Sequence, residues 1–223
     1  MKRILITGAT GFLGRHFVTE LLRDDPQSRV HALVRPKGQT SAQQRLAALE
    51  LDPTRCHALA GDLSDSGSFA EQLPVIDEFW HLAGLTEFHE DKRAQLERVN
   101  IEGTRQALKL AKQLDVQRFF HISTAYVCGL TSAPVPEDGL LPSPRFRNPY
   151  EETKYLGERL VRESSLPWVV LRPSIIMGHS RTGAVESDKM VYGAVKACHL
   201  VMRLPGRLQP VIRLRRRAPR YPA

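Results

Sequence analysis

The 223-residue sequence has few cysteines and no long apolar run. Cys56, Cys128 and Cys198 are odd in number, widely spaced and without a C-x-x-C pair, which argues against a disulfide framework or a cysteine-based metal site. We expect three isolated buried thiols in a reducing cytoplasm. The first apolar run ends at Thr7, whereas a secretory signal needs roughly 7–15 apolar residues and a membrane span about 20. The sequence therefore predicts a soluble cytoplasmic protein with no membrane span.

Metal-ligand spacing is also missing. The eight histidines form no H-E-x-x-H pattern, so no metal site is predicted. His81 and His121 each end an apolar run, where we expect hydrogen-bonded core or strand-end positions.

Acidic residues are absent from the C-terminal end. Residues 203–223 hold seven arginines and no Asp or Glu, and so carry seven of the eight net positive charges. The remaining chain is nearly neutral and has no basic face interleaved with aromatic residues, so we expect no nucleic-acid partner. The Arg- and Pro-rich composition predicts a disordered tail. A basic arm that binds RNA or anionic lipid is the functional alternative.

Strand and helix patterns alternate along the rest of the chain. Short apolar runs bounded by turn residues predict strands, and stretches with apolar residues every three or four positions predict helices. This alternation predicts an α/β fold with a parallel sheet covered on both faces. The predicted strands are Ile4–Ile6, Arg29–Val34, Cys56–Ala60, Val75–His81, Phe119–Ser123 and Trp168–Leu171, and the helices after a first one at Phe12–Leu22 are Gln43–Leu51, Ser68–Leu73, Lys92–Leu114 and Pro149–Ser164.

The turn between the first strand and the first helix contains Gly8, Gly11 and Gly14 in a G-x-x-G-x-x-G pattern. Gly8 allows the positive φ of a tight turn, Gly11 lets a phosphate approach the backbone, and Gly14 lets the helix pack on the strand. The N–H groups and dipole of the helix then face an anion. The turn is predicted to hold the pyrophosphate of a dinucleotide; a glycine-rich turn without a ligand is the alternative.

The end of the second strand indicates which dinucleotide binds. An acid there would hydrogen-bond the 2′-hydroxyl of NAD, whereas Arg35 can neutralise the 2′-phosphate of NADP, with help from Arg15. We predict NADP(H), with NAD(H) as the alternative, although both arginines could be solvated surface charges. Asp62 could accept a hydrogen bond from adenine or, like Ser64 and Asp65, cap a helix. The predicted cofactor-binding residues are Gly8, Thr10, Gly11, Phe12, Leu13, Gly14, Arg15, Arg35, Asp62, Leu63, Leu82, Ala83 and Gly84.

A strand end rich in hydroxyl groups and a Tyr-x-x-x-Lys pair carry the predicted chemistry. Tyr150 and Lys154 lie on one face of a predicted helix, and Thr124 follows the fifth strand. A nearby ammonium lowers the pKa of a phenol by stabilising the phenolate. We predict that Tyr150 gives a proton to a carbonyl oxygen as hydride arrives, that Thr124 orients that oxygen, and that Lys154 tunes Tyr150 and holds the nicotinamide ribose. Tyr192 and Lys196 repeat the spacing without such a strand end, and we predict helix surface there.

Several motifs follow one another along residues 1–202: Thr7-Gly8-Ala9-Thr10-Gly11-Phe12-Leu13-Gly14, Gly61-Asp62-Leu63, His81-Leu82-Ala83-Gly84, Asn100-Ile101-Glu102-Gly103-Thr104, Ser123-Thr124-Ala125-Tyr126-Val127, Tyr150 with Lys154, and Leu171-Arg172-Pro173-Ser174-Ile175-Ile176. On these motifs the chain resembles the extended short-chain dehydrogenases/reductases of the NAD-dependent epimerase/dehydratase superfamily. The Ser-Thr-Ala-Tyr-Val stretch and the context of Tyr150 are most similar to thioester reductase and fatty acyl-CoA reductase domains.

The resemblance implies a Rossmann-type doubly wound sheet and an NADPH-dependent reduction of an acyl thioester, bound to CoA or to a carrier, to an aldehyde or alcohol. A homodimer is compatible with it. Sugar-nucleotide epimerases or dehydratases and hydroxysteroid-type dehydrogenases share most motifs and stay open, as does a catalytically idle dinucleotide-binding module. The resemblance makes Thr124, Tyr150 and Lys154 the catalytic trio and places Pro173, Ser174 and Ile176 along the nicotinamide.

The similarity fades near Met202. We expect an NAD(P)-binding domain with the catalytic residues over 1–202, a basic tail over 203–223, and a truncated C-terminal substrate region, because extended members are longer. Our hypothesis is that the chain is truncated or that its end is read in an altered frame. The cofactor half could then fold alone, whereas a carbonyl substrate needs walls that exclude water.

Overall fold

Parallel strands alternate with helices in the computed structural model, which describes residues 1–63, 67–71, 73–178 and 198–200. Contacts divide the chain into two units, Met1–Ile176 and Met177–Ala223, and the elements below lie in the first. The strands are β1 (Arg3–Thr7), β2 (Arg29–Val34), β3 (Cys56–Ala60), β4 (Glu78–His81), β5 (Arg118–Ile122) and β6 (Trp168–Leu171). The α-helices are α1 (Phe12–Asp24), α2 (Ala42–Ala47), α3 (Gly67–Ala70), α4 (Arg93–Leu96), α5 (Gly103–Gln113) and α6 (Pro149–Arg162).

The strands of the described region form one sheet in the order β3-β2-β1-β4-β5-β6, with every neighbouring pair parallel. The order reverses between β1 and β4. The register pairs Thr7 with His81 and His81 with His121, so three central strands end at the same level. In such sheets, ligands bind outside the carboxyl ends at the reversal point. The predicted α/β fold is confirmed.

Each face of the sheet is covered by its own apolar cluster. Successive side chains of a strand point to opposite faces. Ile4 and Ile6 therefore pack on one side with Val18 of α1, whereas Leu5 packs on the other side with Leu110 of α5. Burial of both faces explains why the strands are nearly continuous apolar runs.

The segment between β4 and β5 differs from the prediction of one long helix over Lys92–Leu114. A short 3₁₀ turn at Glu90–Lys92 leads into α4, a π-helical segment occupies Glu97–Glu102, and α5 follows. The backbone of α6 packs closely on this π segment, because a Cβ at Gly157 would stand 2.6 Å from the Asn100 carbonyl oxygen. A π segment holds an extra residue per turn, and such segments often occur at functional sites.

Other predicted boundaries hold or move by a few residues. The observed bounds of β2, β3 and β6 are those predicted. β4 begins at Glu78, and Val75 before it is 67% exposed. α2 ends at Ala47, and Glu50 has a φ of +54°, which no right-handed helix allows. The prediction of a helix up to Leu51 is therefore wrong at its C-terminal end.

The cysteines are less uniformly buried than predicted. Cys56 is buried, Cys128 is half-buried and Cys198 is exposed. Burial raises the pKa of the Cys56 thiol to about 11, so this group stays a protonated, unreactive thiol at neutral pH. The prediction of three buried thiols is wrong for Cys198.

Some predictions concern parts of the chain that lie outside the described residues. Within the residues that are described, none of the helices is both long enough and apolar enough to cross a membrane. The domain boundary at residue 202 stays a prediction. So do the helix caps at Ser64 and Asp65, the surface pair Tyr192 and Lys196, and the tail at 203–223.

Candidate active site

The glycine turn joins β1 to α1 and has close backbone contacts at Gly8 and at Gly14. Gly8 has a φ of +78°, and the Gly11 N–H donates to its carbonyl oxygen at 2.9 Å. A Cβ at Gly8 would stand 2.6 Å from the Ala83 nitrogen, and a Cβ at Gly14 would stand 2.0 Å from the Gly8 oxygen. Gly11 is the N-cap of α1 and offers no side chain to the first N–H groups of the helix. These groups are the donors that an anion would use.

A cavity of about 310 Å³ opens at this edge of the sheet. It is lined by predicted cofactor residues from β1 to β4: Gly8, Thr10, Arg35, Asp62, Leu63 and Ala83. Residues that sequence reasoning did not select, among them Arg45, Arg98 and Gln106, also line it. The other predicted cofactor residues are not part of this lining: Gly11, Phe12, Leu13, Gly14, Arg15, Leu82, Gly84, Pro173, Ser174 and Ile176.

Two arginines stand together at the β2 side of the cavity. Arg35 pairs with Asp62, with 3.3 Å between Nη1 and Oδ2. Arg45 donates to the Arg35 carbonyl oxygen, and its Nη2 donates to the Thr10 hydroxyl at 3.0 Å. Arg45 lies in the last turn of the short helix α2, and its sequence signal was a basic residue directly after the Ser-x-x-Gln capping box that begins at Ser41.

Thr124, Tyr150 and Lys154 converge on the carboxyl end of β5. Thr124 follows β5 and caps a 3₁₀ turn by accepting the Tyr126 N–H at 3.3 Å. α6 begins with Pro149 after the N-cap Asn148, which accepts the Glu151 N–H at 3.0 Å, and this start places Tyr150 and Lys154 one turn apart. The three predicted catalytic side chains are at most 9% exposed.

The Tyr150 phenol lies between hydroxyl groups. Burial raises the pKa of Tyr150, while hydrogen bonds with Thr124 and Thr86 act in the opposite direction. The ring contacts Phe88 edge to face, with 5.5 Å between ring centroids. The prediction that Lys154 lowers the pKa of Tyr150 is wrong for this arrangement, because burial outweighs the other influences. Thr86 was missed, and its sequence signal was a hydroxyl two residues after Gly84 at the β4 strand end.

The Lys154 ammonium is directed at the end of β5. Its Nζ donates to the Ile122 carbonyl oxygen at 2.6 Å. Burial lowers the pKa of Lys154 to about 8, and the Glu158 carboxylate opposes this fall. The group is therefore mostly a charged donor at neutral pH, close to the end of the catalytic strand.

His81 and His121 stack side by side beneath the site, with 5.5 Å between ring centroids. His81 has partners at both nitrogens, the Thr7 hydroxyl at 2.8 Å and the Thr104 hydroxyl at 3.3 Å. In the described region, neither ring nitrogen of His121 has a hydrogen-bond partner, so the prediction of a satisfied core histidine is wrong there. Burial and the Lys154 charge lower the pKa of His81 to about 3 and that of His121 well below its usual value. Both rings are neutral.

The loop after β4 is held by Asn100 of the π segment. Its Oδ1 accepts the Leu85 N–H at 2.8 Å, and its Nδ2 donates to the Leu85 carbonyl oxygen at 3.0 Å and to the Thr153 hydroxyl at 3.2 Å. One amide side chain thus fixes the loop that brings Thr86 and Phe88 against Tyr150. The π segment is what places this amide.

This combination of a glycine turn, a cavity at the strand reversal and a buried Tyr-Lys pair agrees with a family match. Residues 6–210 match the NAD-binding family described as male sterility protein. The chain belongs to this family. A nicotinamide dinucleotide is therefore the class of cofactor that the site serves.

Proteins of known name are similar to the chain. Fatty acyl-CoA reductase 2 of Homo sapiens is 31% identical, over 78% of this chain and 43% of that protein. The L-2-aminoadipate reductase large subunit of Penicillium chrysogenum is 30% identical, over 87% of this chain and 16% of that protein. The chain thus spans less than half of the length of these two relatives.

Solved structures show the same fold. The terminal R domain from the myxalamid PKS-NRPS biosynthetic pathway has a TM-score of 0.78 at 32% identity, over 89% of this chain and 55% of that chain. UDP-glucuronic acid 4-epimerase from Bacillus cereus, in complex with NAD, has a TM-score of 0.63 at 31% identity, over 80% of this chain and 58% of that chain. The first of these matches covers more of this chain and has the higher TM-score.

Proposed function

We propose that the chain is the cofactor-binding and catalytic part of an NADPH-dependent reductase that converts an acyl thioester, bound to CoA or to a carrier, to an aldehyde or alcohol. The observation that carries the proposal is the buried Tyr150 phenol, held between two threonine hydroxyls one helical turn from the Lys154 ammonium. The fatty acyl-CoA reductase, the aminoadipate reductase and the R domain among its relatives support a thioester substrate.

Each group of the site has a defined task in this proposal. When bound, the cofactor supplies hydride to the carbonyl carbon. The Tyr150 Oη gives its proton to the carbonyl oxygen, and its raised pKa keeps the phenol protonated at neutral pH. The Thr124 hydroxyl holds that oxygen, and the Lys154 ammonium binds the ribose hydroxyls. Addition of one hydride and one proton to the thioester would give a hemithioacetal; its C–S bond then breaks, and its hydroxyl proton passes to the leaving thiolate, so that the products are an aldehyde and a free thiol. An alcohol would need a second hydride and a second proton.

The preference for NADPH rests on the β2 side of the cavity. Arg35 and Arg45 both line it, and together they offer two guanidinium groups to a 2′-phosphate. The glycine turn, free of side chains at Gly8 and Gly11, fits the pyrophosphate. The epimerase among the structural neighbours is in complex with NAD, which has no 2′-phosphate for two arginines to bind.

Nucleotide binding and turnover test the proposal separately. We expect NADPH, titrated by fluorescence, to bind at least tenfold more tightly than NADH. With octanoyl-CoA as substrate, Y150F should keep NADPH affinity and lose turnover at least 100-fold, since the proton donor is gone. Y155F is the matched control on the same helix, because the Tyr155 hydroxyl donates to the Leu141 carbonyl oxygen instead.

Two results would count against the proposal. Unchanged turnover in Y150F would show that the phenol is not the acid. NADPH binding without oxidation across acyl-CoA, aldehyde and steroid substrates would favour the alternative of a catalytically idle dinucleotide-binding module.

A further inference from the structure

One stripe of α6 carries four polar side chains at intervals of four residues, Tyr150, Lys154, Glu158 and Arg162. The first two belong to the proposed catalytic trio, and the last two are outside it. Glu158 is completely buried, with 0% exposure. A carboxylate in such a place must be paired and hydrogen-bonded, since an uncompensated buried charge is very costly.

Three side chains supply that pairing. Arg162 donates to Glu158 at 2.7 Å, Arg172 donates through Nη2 at 2.7 Å, and the Ser123 hydroxyl donates at 2.6 Å. Burial raises the pKa of Glu158, but these hydrogen bonds outweigh it and hold the pKa below its ordinary value. Glu158 is therefore an ionised carboxylate at neutral pH.

The two arginines that bind Glu158 also fasten the loop between Thr124 and Tyr150. Arg172 donates to the carbonyl oxygens of Pro136 at 3.0 Å and Gly139 at 2.5 Å. Arg162 donates to the carbonyl oxygens of Asp138 at 2.8 Å and Glu137 at 3.1 Å. Glu158 thus neutralises two guanidinium groups that also donate hydrogen bonds to main-chain carbonyl oxygens. These bonds fix the position of the Glu158 carboxylate.

Lys154 lies one helical turn before Glu158 and meets charged or titratable groups from three elements. On α6, Glu158 acts on it from one turn further along and Tyr150 lies one turn before it, and His81 and His121 interact with it from β4 and β5. Both histidines are neutral, so they add no positive charge beside the ammonium. Glu158 acts on Lys154 with the opposite sign to burial.

We propose that Glu158 is the positioning residue for Lys154: anchored by Ser123, Arg162 and Arg172, its carboxylate keeps a fixed negative charge one turn from the ammonium. The role of Lys154 in turnover rests on the proposed function, but the interaction between the two side chains does not. Removing the carboxylate takes away the negative charge that acts on Lys154 against burial, and leaves Arg162 and Arg172, which are bound to that carboxylate, without their counter-charge. The ammonium should then lose its proton at lower pH.

The test is the titration of Lys154 by NMR in the full chain, labelled with ¹³C at lysine Cε and studied without nucleotide. The Lys154 signal is the one that is missing from K154M. The wild-type midpoint should lie at about pH 8. E158Q should lower it by about one pH unit, and R172Q, which removes a positive charge, should raise it. E163Q is the matched control, because Glu163 is exposed and pairs with Arg159 at 3.6 Å.

A loss of charge shifts the Lys154 midpoint in opposite directions in E158Q and R172Q, whereas loosened packing would shift it in the same direction in both. An E158Q midpoint equal to that of the wild type would overturn the proposal, as would shifts of E158Q and R172Q in the same direction. If E158Q does not fold, an upward shift in R172Q supports the proposal and its absence overturns it. A wild type that shows these shifts but does not bind NADPH would refute the proposed function alone.

Discussion

Gly14 has the least room of the residues in the glycine turn. A Cβ there would stand 2.0 Å from the Gly8 oxygen, a backbone atom that cannot move without displacing β1. We expect G14A to lower the free energy of unfolding by at least about 3 kcal/mol, because α1 can no longer pack on the strand. Urea unfolding followed by circular dichroism measures the change.

Gly139 is the control for this substitution, because a Cβ there meets nothing within 4 Å. G139A should change the free energy of unfolding by no more than about 0.5 kcal/mol. Equal stability of the two variants would mean that α1 and β1 do not approach each other as described.

Arg45 is the residue whose substitution should weaken the binding of NADPH more than that of NADH. A guanidinium bound to a 2′-phosphate contributes about 1.5–3 kcal/mol, so R45Q should weaken NADPH about 10- to 100-fold. NADH has no phosphate at that position, and its affinity should change less than threefold. Fluorescence titration of both nucleotides measures the difference, and R159Q, on the surface of α6, serves as the control. An equal loss for both nucleotides would place Arg45 away from the 2′-phosphate.

At the scale of elements, the loop after β4 depends on one side chain of the π segment. Asn100 is 2% exposed and makes three hydrogen bonds, two of them to Leu85 backbone groups. N100A should cost about 3 kcal/mol, because the half-buried Leu85 backbone groups and the buried Thr153 hydroxyl lose their partner. N148A, which removes only the α6 N-cap, should cost about 1 kcal/mol. Urea unfolding of both variants tests this order, and a smaller loss in N100A would contradict it.

The elements that the sequence predicted best are those with turn residues at both ends. β2 ends before Arg35-Pro36, and its observed bounds are those predicted. The helix predicted over Lys92–Leu114 was wrong because apolar spacing does not reveal an inserted residue, and the π segment depends on packing against Gly157 of α6. The local spacing of apolar residues does not predict contacts between elements that are distant in the sequence.

For the whole molecule, acid should reduce stability already above the pH range in which most carboxylates titrate. In the unfolded chain His81 has a pKa of about 6.5, whereas in the folded chain its pKa is about 3. The unfolded state therefore binds more protons between these values, and stability falls as the pH falls through this window. At pH 5 the loss from His81 alone should be about 2 kcal/mol relative to pH 7.5. His121 acts in the same direction.

Urea unfolding at pH 7.5 and pH 5 measures this loss. H121L removes one of the two buried imidazoles, and its stability should fall less between these pH values than that of the wild type. The same fall in both proteins would assign the acid sensitivity to other groups.

The sequence predicted which residues form the candidate site better than it predicted their pKa values. Thr124, Tyr150 and Lys154 were predicted from spacing and strand order, and the fold brings them to one strand end. The direction of the Tyr150 pKa was predicted wrongly, because burial outweighs its neighbours and cannot be judged from a pattern. Thr86 was missed because a loop, whose geometry has no period, carries it to the site. Arg45 lies on helix α2, and its contacts with Arg35 and Thr10 join elements that are distant in the sequence.

Arg162 and Arg172 hold residues 136–139 by hydrogen bonds to four main-chain carbonyl oxygens. Hydrogen bonds to carbonyl oxygens do not depend on which side chains the loop residues carry. This stretch can therefore exchange its side chains while its path is retained, and libraries randomised there should yield mostly folded proteins.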